Sequence, residues 1–153
     1  MRFSFAKLGN VEVLLGPEMR STGEVLGLGL DLKTAMYKAL LSANLSLKDG
    51  ARVLATQNGE LTPLLQKLQS KGVLVEVCKD YNKASSALKR GEFNLLIAPD
   101  RKKEDFILRR QAVEYGIPTI SSPDTLEAIL AGMDAFLEPF VPKSLLEYRG
   151  ESR

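Results

Sequence analysis

Between residues 51 and 132 short apolar runs alternate with amphipathic stretches, and each of those stretches ends in glycine. This alternation constrains the fold more than any other feature of the chain. Arg52-Val53-Leu54-Ala55-Thr56, Val73-Leu74-Val75-Glu76-Val77, Phe93-Asn94-Leu95-Leu96-Ile97 and Ile117-Pro118-Thr119-Ile120 each read as a strand, the last a short one. The uninterrupted apolar character of Val53-Leu54-Ala55 and Leu95-Leu96-Ile97 fits strands covered on both faces, as in a parallel sheet. Leu61, Leu64, Leu65 and Leu68 form one helical stripe, closed by Gly72. Ala84, Ala87 and Leu88 mark a short helix ending at Gly91, and a charged helix from Lys103 to Tyr115 stops at Gly116. Ser122-Pro123 opens the last helix, serine capping and proline at the first position, which continues through Leu126, Ile129 and Leu130 to Gly132. The pattern predicts an α/β protein: a three-layer αβα arrangement around a short, mostly parallel sheet.

Ahead of this unit, residues 1–28 read as an irregular or extended segment punctuated by glycines and Pro17. A helix follows, with Asp31 as its cap and Leu32, Ala35, Met36, Ala39, Leu40 and Ala43 on one face. The α/β unit is expected over 29–137. Residues 138–153 read as a tail that packs a short helix around Leu145, Leu146 and Tyr148 before fraying.

The residue inventory removes whole reaction classes. The 153 residues include no histidine and a single cysteine, Cys78. No Ser-His-Asp or Cys-His nucleophile can be assembled from them, and no His-ligated metal site. One thiol forms no intrachain disulfide, which agrees with a reducing compartment. A formal net charge of +2 gives no argument for nucleic acid or a membrane surface as partner. The N-terminus lacks the continuous apolar region of a secretory signal, and no stretch has the length of a membrane span. A cytoplasmic protein is therefore expected.

In parallel α/β folds ligands sit beyond the carboxyl ends of the strands. Those ends carry Thr56-Gln57-Asn58-Gly59, Cys78-Lys79-Asp80, Ala98-Pro99-Asp100-Arg101 and Ser121-Ser122. Gln57-Asn58-Gly59 reads first as a turn that starts a helix, with an anion on its backbone donors as the alternative. No G-x-G-x-x-G or G-x-x-x-x-G-K-S/T follows a strand, so a dinucleotide or Walker-type site is not expected. Cys78 reads as a small buried hydrophobe.

Leu15-Gly16-Pro17-Glu18-Met19-Arg20-Ser21-Thr22-Gly23-Glu24-Val25-Leu26-Gly27 resembles the stretch that ends the second ATP-grasp unit in the carbamoyl-phosphate synthase large-chain family. Phe5-Ala6-Lys7-Leu8-Gly9 resembles the residues leading into it, and 32–40 the helix that follows. Further on the likeness is sparser but keeps its order. Lys89-Arg90-Gly91-Glu92-Phe93, Ile107-Leu108-Arg109-Arg110-Gln111-Ala112, Gly116-Ile117-Pro118 and Ser121-Ser122 resemble steps of that family's methylglyoxal-synthase-like effector domain. The resemblance implies a C-terminal regulatory and oligomerisation region of a glutamine-dependent ligase that makes carbamoyl phosphate for arginine and pyrimidine synthesis. It implies no catalytic residue, metal or cofactor in this region, with ATP and magnesium held by the upstream units. As partners it implies those ATP-grasp units, a glutaminase small subunit and a second copy of the chain; apolar residues such as Phe136, Phe140 and Val141 serve that contact or, equally, pack the tail onto the domain's own core.

The sequence departs from the family where an effector phosphate would sit. A Thr-x-Gly-Thr loop after the second strand is missing, together with a strand and a helix, and Glu76 falls near the family's phosphate lysine. What remains as candidate effector-binding groups is Lys48, Lys79, Arg101, Ser121 and Ser122. Three of these places have a plain structural reading: Lys48 in a turn beside Asp49-Gly50, Ser122 as a helix cap, and 101–105 as a solvated helix start. Three expectations follow: a degenerate effector site; a small-effector module with a remodelled pocket for a phosphorylated or amine ligand; and, against the residue inventory, a separate methylglyoxal-synthase-like enzyme.

Overall fold

A computed structural model describes residues 7, 9, 11–14, 25–43, 45, 47, 50–133 and 144–150. Their elements run α1 (Leu32–Ser42), β1 (Arg52–Ala55), a 3-10 turn (Gly59–Leu61), α2 (Thr62–Ser70), β2 (Leu74–Val77), α3 (Tyr81–Lys89), β3 (Leu95–Ile97), α4 (Lys103–Glu114), β4 (Thr119–Ile120), α5 (Pro123–Met133) and α6 (Leu145–Tyr148). The four strands form one sheet in the order β2-β1-β3-β4, and every pairing is parallel. The chain winds outward from β1 in both directions, so the helices fall into two layers. Val53 and Ala55 of β1 and Leu95 and Ile97 of β3 bury against Leu40 of α1, Leu64, Leu65 and Leu68 of α2 and Leu126, Ile129 and Leu130 of α5. Leu54 and Leu96, which point the other way, bury against Ala84, Ala87 and Leu88 of α3 and Leu108 and Ala112 of α4. Strands with a core on each side need apolar residues at consecutive positions, and that is the signal the sequence carries.

Local chemistry sets the element ends. Asp31 caps α1 by accepting from the Thr34 amide at 2.9 Å and its hydroxyl at 2.8 Å. Asp80 caps α3 through the amides of Asn82 and Lys83. Gly72 closes α2 with φ at 82°, left-handed backbone that a side chain would strain. The strands are shorter than the apolar runs. Pro118 lacks an N–H, so although its carbonyl accepts from Leu96 at 3.0 Å, β4 starts only at Thr119.

Two segments flank the layers. Gly29 lies against the first turn of α1 and Gly27 against its middle, where a Cβ on Gly27 would meet the Ala35 carbonyl oxygen at 2.0 Å. The glycines turn inward, and Leu26, Leu28 and Leu30, which alternate with them, are exposed. Ser144 and Glu147 form a capping box on α6, and the Tyr148 hydroxyl meets Lys38 of α1. Residues 15–24, the densest part of the family resemblance, lie outside the described residues, as do Phe136, Phe140 and Val141.

Candidate functional site

The winding reverses between β1 and β3, so their carboxyl ends frame the crevice where a ligand is expected in such a sheet. Four elements bring polar side chains there, and those side chains bond to one another. Thr56, just past β1, is fully buried and donates its hydroxyl to Asp105 Oδ2 at 2.8 Å. Tyr81, the first residue of α3, donates to Asp105 Oδ1 at 2.9 Å. Asp105 is 0% exposed, sitting in the first turn of α4 where the helix dipole favours a negative charge. Beside it, Asp100 accepts from Asn58 Nδ2 at 2.6 Å and pairs with Lys102 Nζ at 2.8 Å.

Arg109 spans the floor of this crevice and is also 0% exposed. One guanidinium nitrogen donates to the carbonyls of Ala98 at 2.8 Å and Asp100 at 2.6 Å, which fixes the loop leaving β3. Its Nε and second nitrogen form a fork on the Glu12 carboxylate, at 3.0 and 2.7 Å. Glu12 in turn accepts from the amides of Val13 and Leu14. The upstream segment is thus tied to the sheet edge by a two-point ion pair. A buried guanidinium needs such a partner, because an uncompensated charge at this depth is strongly unfavourable.

The electrostatics follow the contacts. Partial burial pushes the Glu12 carboxyl up, but the Arg109 hydrogen bonds and charge and the two backbone amides together hold it below the usual carboxylate range. The Lys102 hydrogen bond, against some desolvation, holds Asp100 below its usual value, and the same bond raises Lys102. Burial, and then the bond to the Asp105 carboxylate, push the Tyr81 hydroxyl up to about 12. Burial raises the Cys78 thiol as well, so it is no thiolate nucleophile at neutral pH.

The sequence-predicted site residues are spread out rather than gathered. Lys79 lies beyond β2, in a groove of about 600 Å³ that also takes Glu76, Asp80, Lys83, Arg90 and Glu92. Ser121 and Ser122 follow β4 at the other side of the sheet, three strand spacings away, on the order of 14 Å. The Ser122 carbonyl accepts the first helical bond of α5 from Leu126. Arg101 is exposed on the turn between β3 and α4, and Lys48 lies outside the described residues. The reading of 101–105 as a solvated turn needs correction at one position. Lys102, Lys103 and Glu104 are exposed, but Asp105 points into the crevice and is wholly buried. Asp105, Arg109, Glu12 and Tyr81 were not singled out for this site. A signal for two of them was present, since Asp105, Leu108, Arg109 and Ala112 follow the i, i+3, i+4, i+7 spacing of a buried stripe. Among the described residues no His, Cys, Asp or Glu group could hold a metal ion, and no helix is long and apolar enough to cross a membrane.

No family model matches the chain. Curated relatives do. The carbamoyl phosphate synthase large chain of Clostridium botulinum (strain Loch Maree / Type A3) is 36% identical over 159 residues, covering 84% of this chain and 15% of the relative. That of C. botulinum (strain Eklund 17B / Type B) is 37% identical over 176 residues, covering 95% and 16%. That of Thermoanaerobacter sp. (strain X514) is 38% identical over 155 residues, covering 84% and 14%. This chain spans about 15% of the length of the curated relatives it matches. It belongs to the carbamoyl phosphate synthase large-chain family and corresponds to that protein's C-terminal region.

Proposed function

We propose that this chain serves as a non-catalytic regulatory and oligomerisation region of a glutamine-dependent carbamoyl phosphate synthase large chain, with its nucleotide-effector site closed. The carrying observation is that the crevice cations are already neutralised from within. Glu12 occupies the Arg109 fork and Asp100 holds Lys102. An incoming phosphate would have to displace a carboxylate at each, and would face the buried Asp105 charge beside them. The chain has no histidine, its one thiol is held protonated by burial, and no metal-holding group lies among the described residues, which supports the non-catalytic reading. No group among the described residues would hold magnesium, and the reading assigns ATP and its metal to the ATP-grasp units of the enzyme.

Such a region suits a cytoplasmic enzyme released from nucleotide control, as one dedicated to arginine synthesis would be, with pyrimidine synthesis supplied separately. Its partners are the ATP-grasp units of the same enzyme and, through them, the glutaminase subunit. Isothermal titration of the chain with UMP and IMP tests the reading. Heats indistinguishable from dilution are expected, and micromolar binding of either nucleotide overturns it.

A further inference from the structure

Residues 25–30 cross α1 with glycine facing the helix and leucine facing away. A Cβ on Gly27 would meet the Ala39 amide nitrogen at 2.6 Å, and one on Gly29 the Ala35 nitrogen at 2.5 Å. Backbone lies on backbone here, closer than any side chain allows. The outward positions give no hold in return, since Leu26 is 77% and Leu30 74% exposed. Among the described residues, no main-chain hydrogen bond ties this strap to the helix either. Burial of apolar side chains ordinarily offsets the entropy of ordering a segment, and glycine carries the largest backbone entropy to offset. Something outside the strap must therefore hold it down.

That hold comes from the far end of the chain. α6 opens on the capping box of Ser144 and Glu147 and carries Tyr148 onto α1. Lys38 of α1 lies 5.1 Å from the centroid of the Tyr148 ring and donates to its hydroxyl. A hydroxyl that accepts from an ammonium keeps its own proton to donate. This one reaches the Leu28 carbonyl at 3.4 Å, at the long end for such a bond. Leu28 is the residue between the two glycines. Tyr148 thus bridges residues 110 and 120 positions away.

We propose that α6 is a clasp: Tyr148, seated on Lys38, pins residues 25–30 across α1 and fixes the direction in which the chain enters the α/β layers. With the clasp shut, Leu26, Leu28 and Leu30 stand outward as one apolar ridge. With it released, the two glycines let the strap lift and turn, and the ridge is lost. The C-terminal helix thereby sets the geometry of the upstream junction, alongside the Glu12 tie at the carboxyl edge.

Backbone 15N relaxation of the full chain tests the clasp at Gly27 and Gly29, with the helix-closing Gly72 and Gly91 as controls. Order parameters of about 0.85 are expected at Gly27 and Gly29. Tyr148→Ala, which removes ring and hydroxyl, should bring both below about 0.6 and leave Gly72 and Gly91 unchanged. Tyr148→Phe keeps the ring over Lys38 and loses only the hydroxyl, and should lower Gly27 and Gly29 by a smaller amount. Gly27 and Gly29 already mobile in the unaltered chain, equally rigid in either variant, or loosened only together with Gly72 and Gly91, overturn the proposal. No nucleotide enters the measurement, so the clasp is judged separately from the closed effector site.

Discussion

The carboxyl edge of the sheet and the outer edge of β2 deal with exposed polarity in opposite ways. At the carboxyl edge Thr56, Tyr81, Asn58 and Arg109 each bond to a residue of another segment, and two of the most polar residues of the chain, Asp105 and Arg109, are completely buried. At β2 no further strand among the described residues pairs with the outer side, and Leu74 and Val77 are exposed. In this fold the first place is where a ligand is expected, yet its charges are paired among themselves, and the second, which a fold would ordinarily blunt, is left without a further strand among the described residues. A buried polar network is sensitive to the loss of any member, because the partner left behind has no water to turn to. An exposed apolar edge is not. The two regions should therefore respond to substitution very differently.

The largest difference is expected at Arg109. Arg109→Ala strips the Glu12 carboxylate and two carbonyls of their donor, and should cost about 3–5 kcal/mol in urea unfolding, the range for breaking a buried pair. Asp105→Ala leaves the Thr56 and Tyr81 hydroxyls unpaired and should cost about 1.5–3 kcal/mol. Tyr81 adds a pH signature. Its folded-state pKa of about 12 lies above the ordinary value of 10.0. The stabilising contribution is complete below pH 10 and is lost as pH rises from 10 through 12, because the unfolded chain gives up the proton first. Tyr81→Phe should flatten that part of the stability profile, read by thermal melts across alkaline pH. The smallest effect is expected at the other edge, where Leu74→Thr should change stability by no more than about 0.5 kcal/mol. A large loss there, or a small one at Arg109, would erase the contrast.

Much of the fold was legible because one rule governed it. Val53, Leu54 and Ala55 are apolar in sequence because each faces a core, and Gly72, Gly91 and Gly116 mark helix ends because each takes positive φ. The crevice was harder to see. Glu12 and Arg109 stand 97 positions apart, and no local pattern announces a pair at that separation. Asp105 closes the charged run Arg101-Lys102-Lys103-Glu104, so composition suggests solvent while its helical phase suggests the core. Phase decided, because Thr56 and Tyr81 were there to receive it. The candidate set Lys79, Arg101, Ser121 and Ser122 came from likeness to strand-end positions, and likeness does not report that strands β2 and β4 lie at opposite sides of the sheet.

The central claim is that Glu12 fills the position an anion would take on Arg109. Thermal melts in inorganic phosphate, set against sodium chloride at equal ionic strength, test it most directly. The Tm of the unaltered chain should not respond to phosphate specifically, whereas Glu12→Ala, which frees the guanidinium fork, should start lower and climb as phosphate is added. A specific phosphate stabilisation of the unaltered chain equal to that of Glu12→Ala would contradict the account.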